Sequence, residues 1–126
     1  MDKSLKKSIF SRFIIKYFEL LEIIKEKVTH NDFDLFYKKN FILKKTNIKI
    51  FIKTWYEYIT QKYYIHIMNN NIDYFINNST TIINNEYLKK YLSYFNESYK
   101  QLNDSEIKSI IAIIQELTQL SLIYYK

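Results

Sequence analysis

Apolar residues return every three or four positions along this chain, and that spacing predicts helices almost from end to end. A first helix is predicted over about Ser4–Val28, where Ile9, Phe13, Tyr17, Leu20, Leu21, Ile24 and Val28 make one stripe. Asn31 or Asp32 is the expected cap of a shorter second helix carrying Phe33, Phe36, Tyr37 and Phe41, with Asp34 in its first turn. Thr46 or Asn47 is the expected cap of a third helix ending near Met68. Projected at about 100° per residue, Ile48, Ile52, Trp55, Ile59 and Tyr63 share one face, while Lys49, Lys53, Glu57 and Thr60 share the other.

Asn69, Asn70 and Asn71 interrupt the pattern, and 72–76 offers one further turn. The stretch from Asn77 to Asn85 reads as a loop, because Asn, Ser and Thr side chains compete for backbone hydrogen bonds. A fourth helix presents Tyr87, Leu88, Tyr91, Leu92, Phe95, Tyr99 and Leu102. Asn103 with Glu106 three residues later makes a capping box for the last helix. Its Ile107, Ile110, Ile111, Ile114, Leu117 and Ile123 or Tyr124 form the broadest apolar face in the chain.

The expected fold is therefore all-α: a single compact bundle of four main helices, around 9–28, 47–68, 85–102 and 104–124, plus one or two short helices. Phe13, Leu20, Ile52, Trp55, Ile59, Leu88, Leu92, Ile110, Ile114 and Leu117 should fill its core. Isoleucine, tyrosine and phenylalanine also favour strands, but hairpin turn residues are missing and the periodicity is helical. No internal repeat, sustained heptad or linker divides residues 1–126, so one domain is expected.

Composition sharpens this picture by what it lacks. The 126 residues contain no glycine, proline or cysteine, where average usage would supply about nine glycines and about six prolines. Glycine-built phosphate loops, dinucleotide fingerprints and nucleophile elbows thus lose their usual scaffold. Disulfides, thiol catalysis and thiolate metal sites are excluded. One alanine and one arginine beside 18 lysines and 22 isoleucines indicate an A/T-rich coding sequence, which supplies lysine wherever a surface tolerates it. The apolar stretches are broken by Arg12, Lys16, Glu19 and Glu22 in the first helix and by Lys108 and Glu116 in the last, so no membrane span is expected. Lys3, Lys6 and Lys7 precede no long apolar core, and no signal peptide is expected either.

Charge is unevenly spread: residues 1–62 carry a net +7 and residues 63–126 a net −1. Lys38, Lys39, Lys44, Lys45, Lys49 and Lys53 run without an acid between Asp34 and Glu57, interleaved with Phe36, Tyr37, Phe41, Phe51, Trp55 and Tyr56. Lysines neutralise phosphates and aromatics stack on unpaired bases, so this stretch is a candidate polyanion or nucleic-acid site. An exposed Trp55 or Tyr56 would favour single strands; a buried Trp55 would leave only diffuse electrostatics.

Other chemistry is sparse. His66 falls at the helical angle of the Trp55 face and His30 follows the first helix, with no motif joining them. Glu19, Glu22 and Glu26 share a helical stripe that suits Mg²⁺ or Ca²⁺, or simply a solvated face beside Lys16, Lys25 and Lys27. Asn77, Asn78, Asn96 and Asn103 each begin an Asn-x-Ser/Thr sequon. No catalytic set, metal site or cofactor is expected.

Trp55-Tyr56-Glu57-Tyr58-Ile59, followed by Tyr63-Tyr64, Ile67 and Asp73-Tyr74-Phe75, resembles a Trp-x-x-Tyr-Ile … Tyr … Asp-x-Phe pattern. Small helical proteins encoded by large nucleocytoplasmic DNA viruses carry a comparable pattern. The resemblance implies an all-helical protein in the virion or inside an infected cell, in cytoplasm or nucleus, and carries over no site residues.

The functional expectation is a non-enzymatic structural or protein-interaction module with an apolar, tyrosine-rich helical surface. Its partner would be another protein or a second copy. Ile113, Leu120 and Leu122, outside the main stripe of the last helix, are the candidate interface. The alternative is the polyanion module on residues 38–53.

Overall fold

Asp2 starts the first helix. Its carboxylate accepts a hydrogen bond from the Ser4 amide at 2.9 Å, and α1 runs Lys3–Lys27. The structure, a computed structural model, describes residues 2–28, 33–76 and 85–126, the side chains of Tyr87 and Leu88 excepted. The expected cap at Asn31 or Asp32, His30, residues 77–84 of the expected loop with their two sequons, and the expected core role of Leu88 and stripe position of Tyr87 lie outside the described residues.

Helix α2 (Phe33–Thr46) extends past its predicted stretch. Lys44 and Lys45 are good helix formers, and the Lys44 ammonium lies 4.7 Å from the Phe18 ring centre, tying the last turn of α2 to α1. Thr46 therefore closes α2, its hydroxyl donating to the Ile42 carbonyl at 2.8 Å, instead of capping the next helix. The third helix is entered through a turn whose Ile50 amide donates to the Asn47 carbonyl at 3.1 Å, with no side-chain cap.

That helix, α3, has three parts: α-helical Ile50–Trp55, a π-helical turn Tyr56–Thr60, and α-helical Gln61–Met68. In the π turn the Gln61 amide reaches back five residues to the Tyr56 carbonyl. The wider turn brings Trp55 and Thr60, five apart, onto one face. Thr60, expected on the polar side, is consequently only 2% exposed.

Asn70 ends α3 with φ of 63°, the left-handed conformation that Asn adopts at low cost in a chain without glycine. Gln115 holds this exit, donating to Asn70 Oδ1 at 2.8 Å and to the Ile67 carbonyl at 3.1 Å. A helical turn at 72–76 then buries Ile72, Phe75 and Ile76. Helix α4 (Glu86–Tyr99) buries Tyr91, Leu92, Tyr94 and Phe95. Helix α5 (Asp104–Tyr124) opens on the predicted capping box: Glu106 N donates to Asn103 Oδ1 at 2.8 Å and Asn103 N to Glu106 Oε1 at 3.1 Å.

The described residues thus form an all-α bundle with no strand. Helices α1 and α5 run antiparallel, joined by Arg12–Glu116 and Lys27–Glu106 ion pairs and by Phe10 against Tyr124. At the centre, Tyr17 of α1 stacks on Tyr91 of α4 (centroids 5.1 Å apart) and packs on Phe51 of α3 at 4.8 Å. Its hydroxyl donates to Asn40 Oδ1 at 3.4 Å, and Asn40 is fully buried with its amide on the Phe36 carbonyl. Phe13, Leu20, Ile52, Trp55, Ile59, Leu92, Ile110, Ile114 and Leu117 are all buried as expected. Among the described residues, α5 alone is long and apolar enough to cross a membrane, a property that core helices share.

Candidate functional site

Two surfaces gather the lysines, and neither is the single 38–53 patch. On the first, Leu35, Phe36 and Lys39 of α2 face Glu86, Lys89 and Lys90 of α4 across an open groove of about 610 Å³. Leu35 is 72% exposed and Ile42, two helical turns on, is 61% exposed; Lys38 and Lys39 stand between them on the same outward stripe. On the second, Lys3, Lys6 and Lys7 of α1 meet Lys49 around Phe10 and Tyr124, lining an open pocket of about 240 Å³ at one end of the bundle. Lys44 is folded over the Phe18 and Phe41 rings, and Lys45 and Lys53 are exposed outside both linings.

Trp55 is 1% exposed, its indole N–H donating to Thr118 Oγ1 at 3.2 Å, so it offers no face to a base. Tyr56 is half-buried and stacked on Tyr125 with centroids 4.7 Å apart. The single-strand preference that an exposed Trp55 would have conferred is therefore not expected.

The three candidate interface residues of α5 are not left exposed. Ile113 is 5% exposed and belongs to the core; Leu120 is half-buried against that core, and Leu122 is half-buried. Helix α5 is packed by α1 on one side and α3 on the other, which uses up the width of its apolar face. The exposed aliphatic side chains lie elsewhere, Leu35 and Ile42 among them.

His66 does not point into the core. It stacks on Tyr74 at 4.0 Å, with Nδ1 3.5 Å from the Asn71 amide nitrogen. Glu19 pairs with Lys16 at 3.1 Å, Glu22 accepts from the Tyr37 hydroxyl, and Glu26 is exposed. The bond to Glu22 pushes the Tyr37 hydroxyl up to about 12, with burial a lesser cause. The Asn103 amide, and then Lys27, hold the Glu106 carboxyl below its usual range. Among the described residues no three His, Cys, Asp or Glu side chains converge on a metal-sized space. Two sequons are spent structurally: Asn96 donates to the Ile76 carbonyl at 3.2 Å from within α4, and Asn103 caps α5.

No family model matches this chain, and no curated protein or solved structure is similar to it. Of the residues carrying the viral resemblance, Trp55, Ile59, Tyr63, Ile67 and Phe75 are buried core positions, whereas Tyr58 is half-buried and Asp73 is exposed. The buried members describe how the helices pack, and the surfaces must be read from their own chemistry.

Proposed function

We propose that the protein is a non-enzymatic interaction module whose α2–α4 face docks an acidic, amphipathic helical segment of a partner protein. The observation that carries this reading is the outward stripe of α2, where Leu35 and Ile42 bracket Lys38 and Lys39 beside the groove. A single exposed leucine is ordinary. Two aliphatic anchors at a helical spacing, flanked by cations, match an apolar core with a charged rim. Lys89 and Lys90 add positive charge across the groove, against Glu86. A second copy docking by the same face would set lysine against lysine, so a heterologous acidic partner is favoured. The resemblance of the Trp55–Phe75 stretch supports a setting in a virion or infected cell within the same proposal.

The test uses a synthetic helix with leucine on one face and glutamate elsewhere, read by fluorescence anisotropy, with a lysine-for-glutamate twin as control. The acidic peptide should bind, and L35E/I42E should weaken it about tenfold or more without moving the melting temperature. Equal binding of the two peptides, or a dimer in sedimentation that L35E/I42E abolishes, would overturn the acidic-partner reading.

A further inference from the structure

The lysine pocket at the end of the bundle lies apart from the α2 face and has a different chemistry. Three sequence-distant segments build it: the first two turns of α1, the turn before α3 and the last turn of α5. Its floor is aromatic, Phe10 and Tyr124 lying 5.9 Å apart between ring centres. Its rim is cationic, with Lys3, Lys6, Lys7 and Lys49 and no carboxylate among the described lining residues. Two lysines elsewhere in the bundle are matched to acids, Lys16 to Glu19 and Lys27 to Glu106. Here the Lys6 ammonium rests 4.6 Å from the centre of the Tyr124 ring, held beside the pocket by a cation–π contact.

We infer that this pocket binds a small organic polyphosphate of the nucleoside polyphosphate class, its phosphates among the four lysines and its ring against Phe10 and Tyr124. Lysine meets phosphate as a mobile point charge, and several lysines around one space favour a multiply charged group over a monoanion. The lysine stems and the two rings give the apolar wall that small-molecule sites combine with a few polar groups. The depression, about 240 Å³ and open to solvent, seats one ring beside the lysines and leaves the phosphates to extend along its rim. An anion placed there relieves the mutual repulsion of the lysines, so occupancy should stabilise the fold as well as saturate.

Isothermal titration calorimetry at low and at about 150 mM salt, with ATP, inorganic triphosphate, AMP and adenosine as probes, tests the assignment. ATP should bind most tightly, inorganic triphosphate next, AMP weakly and adenosine not at all. K6E/K49E should weaken ATP about tenfold or more, whereas K62E/K100E, exposed lysines outside the pocket with the same change in net charge, should leave it unchanged. Tyr124→Leu keeps apolar volume and should erase the advantage of ATP over inorganic triphosphate. Thermal melting of each variant separates lost binding from lost fold. The proposal fails if both charge-reversed pairs weaken ATP equally, if no probe saturates below about 1 mM, or if a duplex oligonucleotide displaces ATP at equimolar phosphate.

Discussion

The Trp55 indole N–H and the Thr118 hydroxyl meet at 3.2 Å where α3 crosses α5, both side chains fully enclosed. Thr118 passes the bond on, its hydroxyl donating to the Ile114 carbonyl at 2.8 Å. One turn along, Thr60 and Ser121 pair through their hydroxyls, and Tyr64 donates to Gln119 at 3.1 Å. A row of polar pairs thus runs through an otherwise apolar contact and sets the register of the two helices.

Thr118→Val keeps the side-chain volume and removes the acceptor. It should cost about 1–3 kcal/mol by leaving the indole N–H buried without a partner. Urea unfolding followed by tryptophan emission measures this directly, since Trp55 is the only tryptophan. Thr118→Ser should recover part of the loss, because the hydroxyl returns.

The π turn behaves as a one-residue insertion in α3. Deleting Glu57, which is exposed in that turn, should convert Tyr56–Thr60 to α-helix while leaving Trp55 and Thr60 on the same face. Helical circular dichroism and cooperative melting should survive the deletion. Deleting Lys53 instead, an exposed residue of the α-helical part, rotates Ile52 away from Trp55 and should abolish cooperative unfolding. Equal damage from the two deletions would refute the insertion reading.

Glu106 should govern part of the acid limb of stability. Its carboxyl titrates below the ordinary 4.5 in the folded protein, so its contribution is present above that value and disappears as pH falls through the lowered one. Glu106→Gln keeps an acceptor for the Asn103 amide but cannot ionise. The variant should therefore be less stable than the parent at pH 7, with the gap closing as pH falls and the Glu106 carboxyl takes up its proton, as urea midpoints along that series would reveal.

Tyr37 makes the opposite prediction at alkaline pH. Its hydroxyl is pushed from 10.0 up to about 12 by the bond to Glu22, so the folded state keeps a proton that the unfolded chain releases. Stability from this pair is complete below 10 and is lost as pH rises towards about 12. Tyr37→Phe should flatten that part of the profile. Glu22→Gln should bring the Tyr37 ultraviolet titration back towards 10.0.

The helices and most of the core were legible in the sequence because each depends on residues three or four apart. Ile52, Trp55 and Ile59, or Ile110, Ile114 and Leu117, announce a buried stripe without reference to any other element. The capping box at Asn103 and Glu106 is equally local and stands where the spacing puts it. Positions after the π turn were less legible, since a fixed angle per residue cannot register one extra residue in a turn. Thr60 went inward and His66 was left half-buried against Tyr74 for that reason.

The candidate sites lay beyond the sequence, which determined that this chain would be helical, basic and without glycine-built or thiol chemistry. The six lysines between 38 and 53 are neighbours along the chain but not in space: Lys39 faces α4, Lys44 covers Phe18, and Lys49 joins Lys3, Lys6 and Lys7. Ile113 reads as surplus on an isolated helix and becomes core once α1 and α3 enclose α5. Periodicity reports which face of a helix is apolar. Only the packing of one helix against another decides which charges converge and which apolar residues remain outside, because those contacts join residues separated by forty to a hundred or more positions.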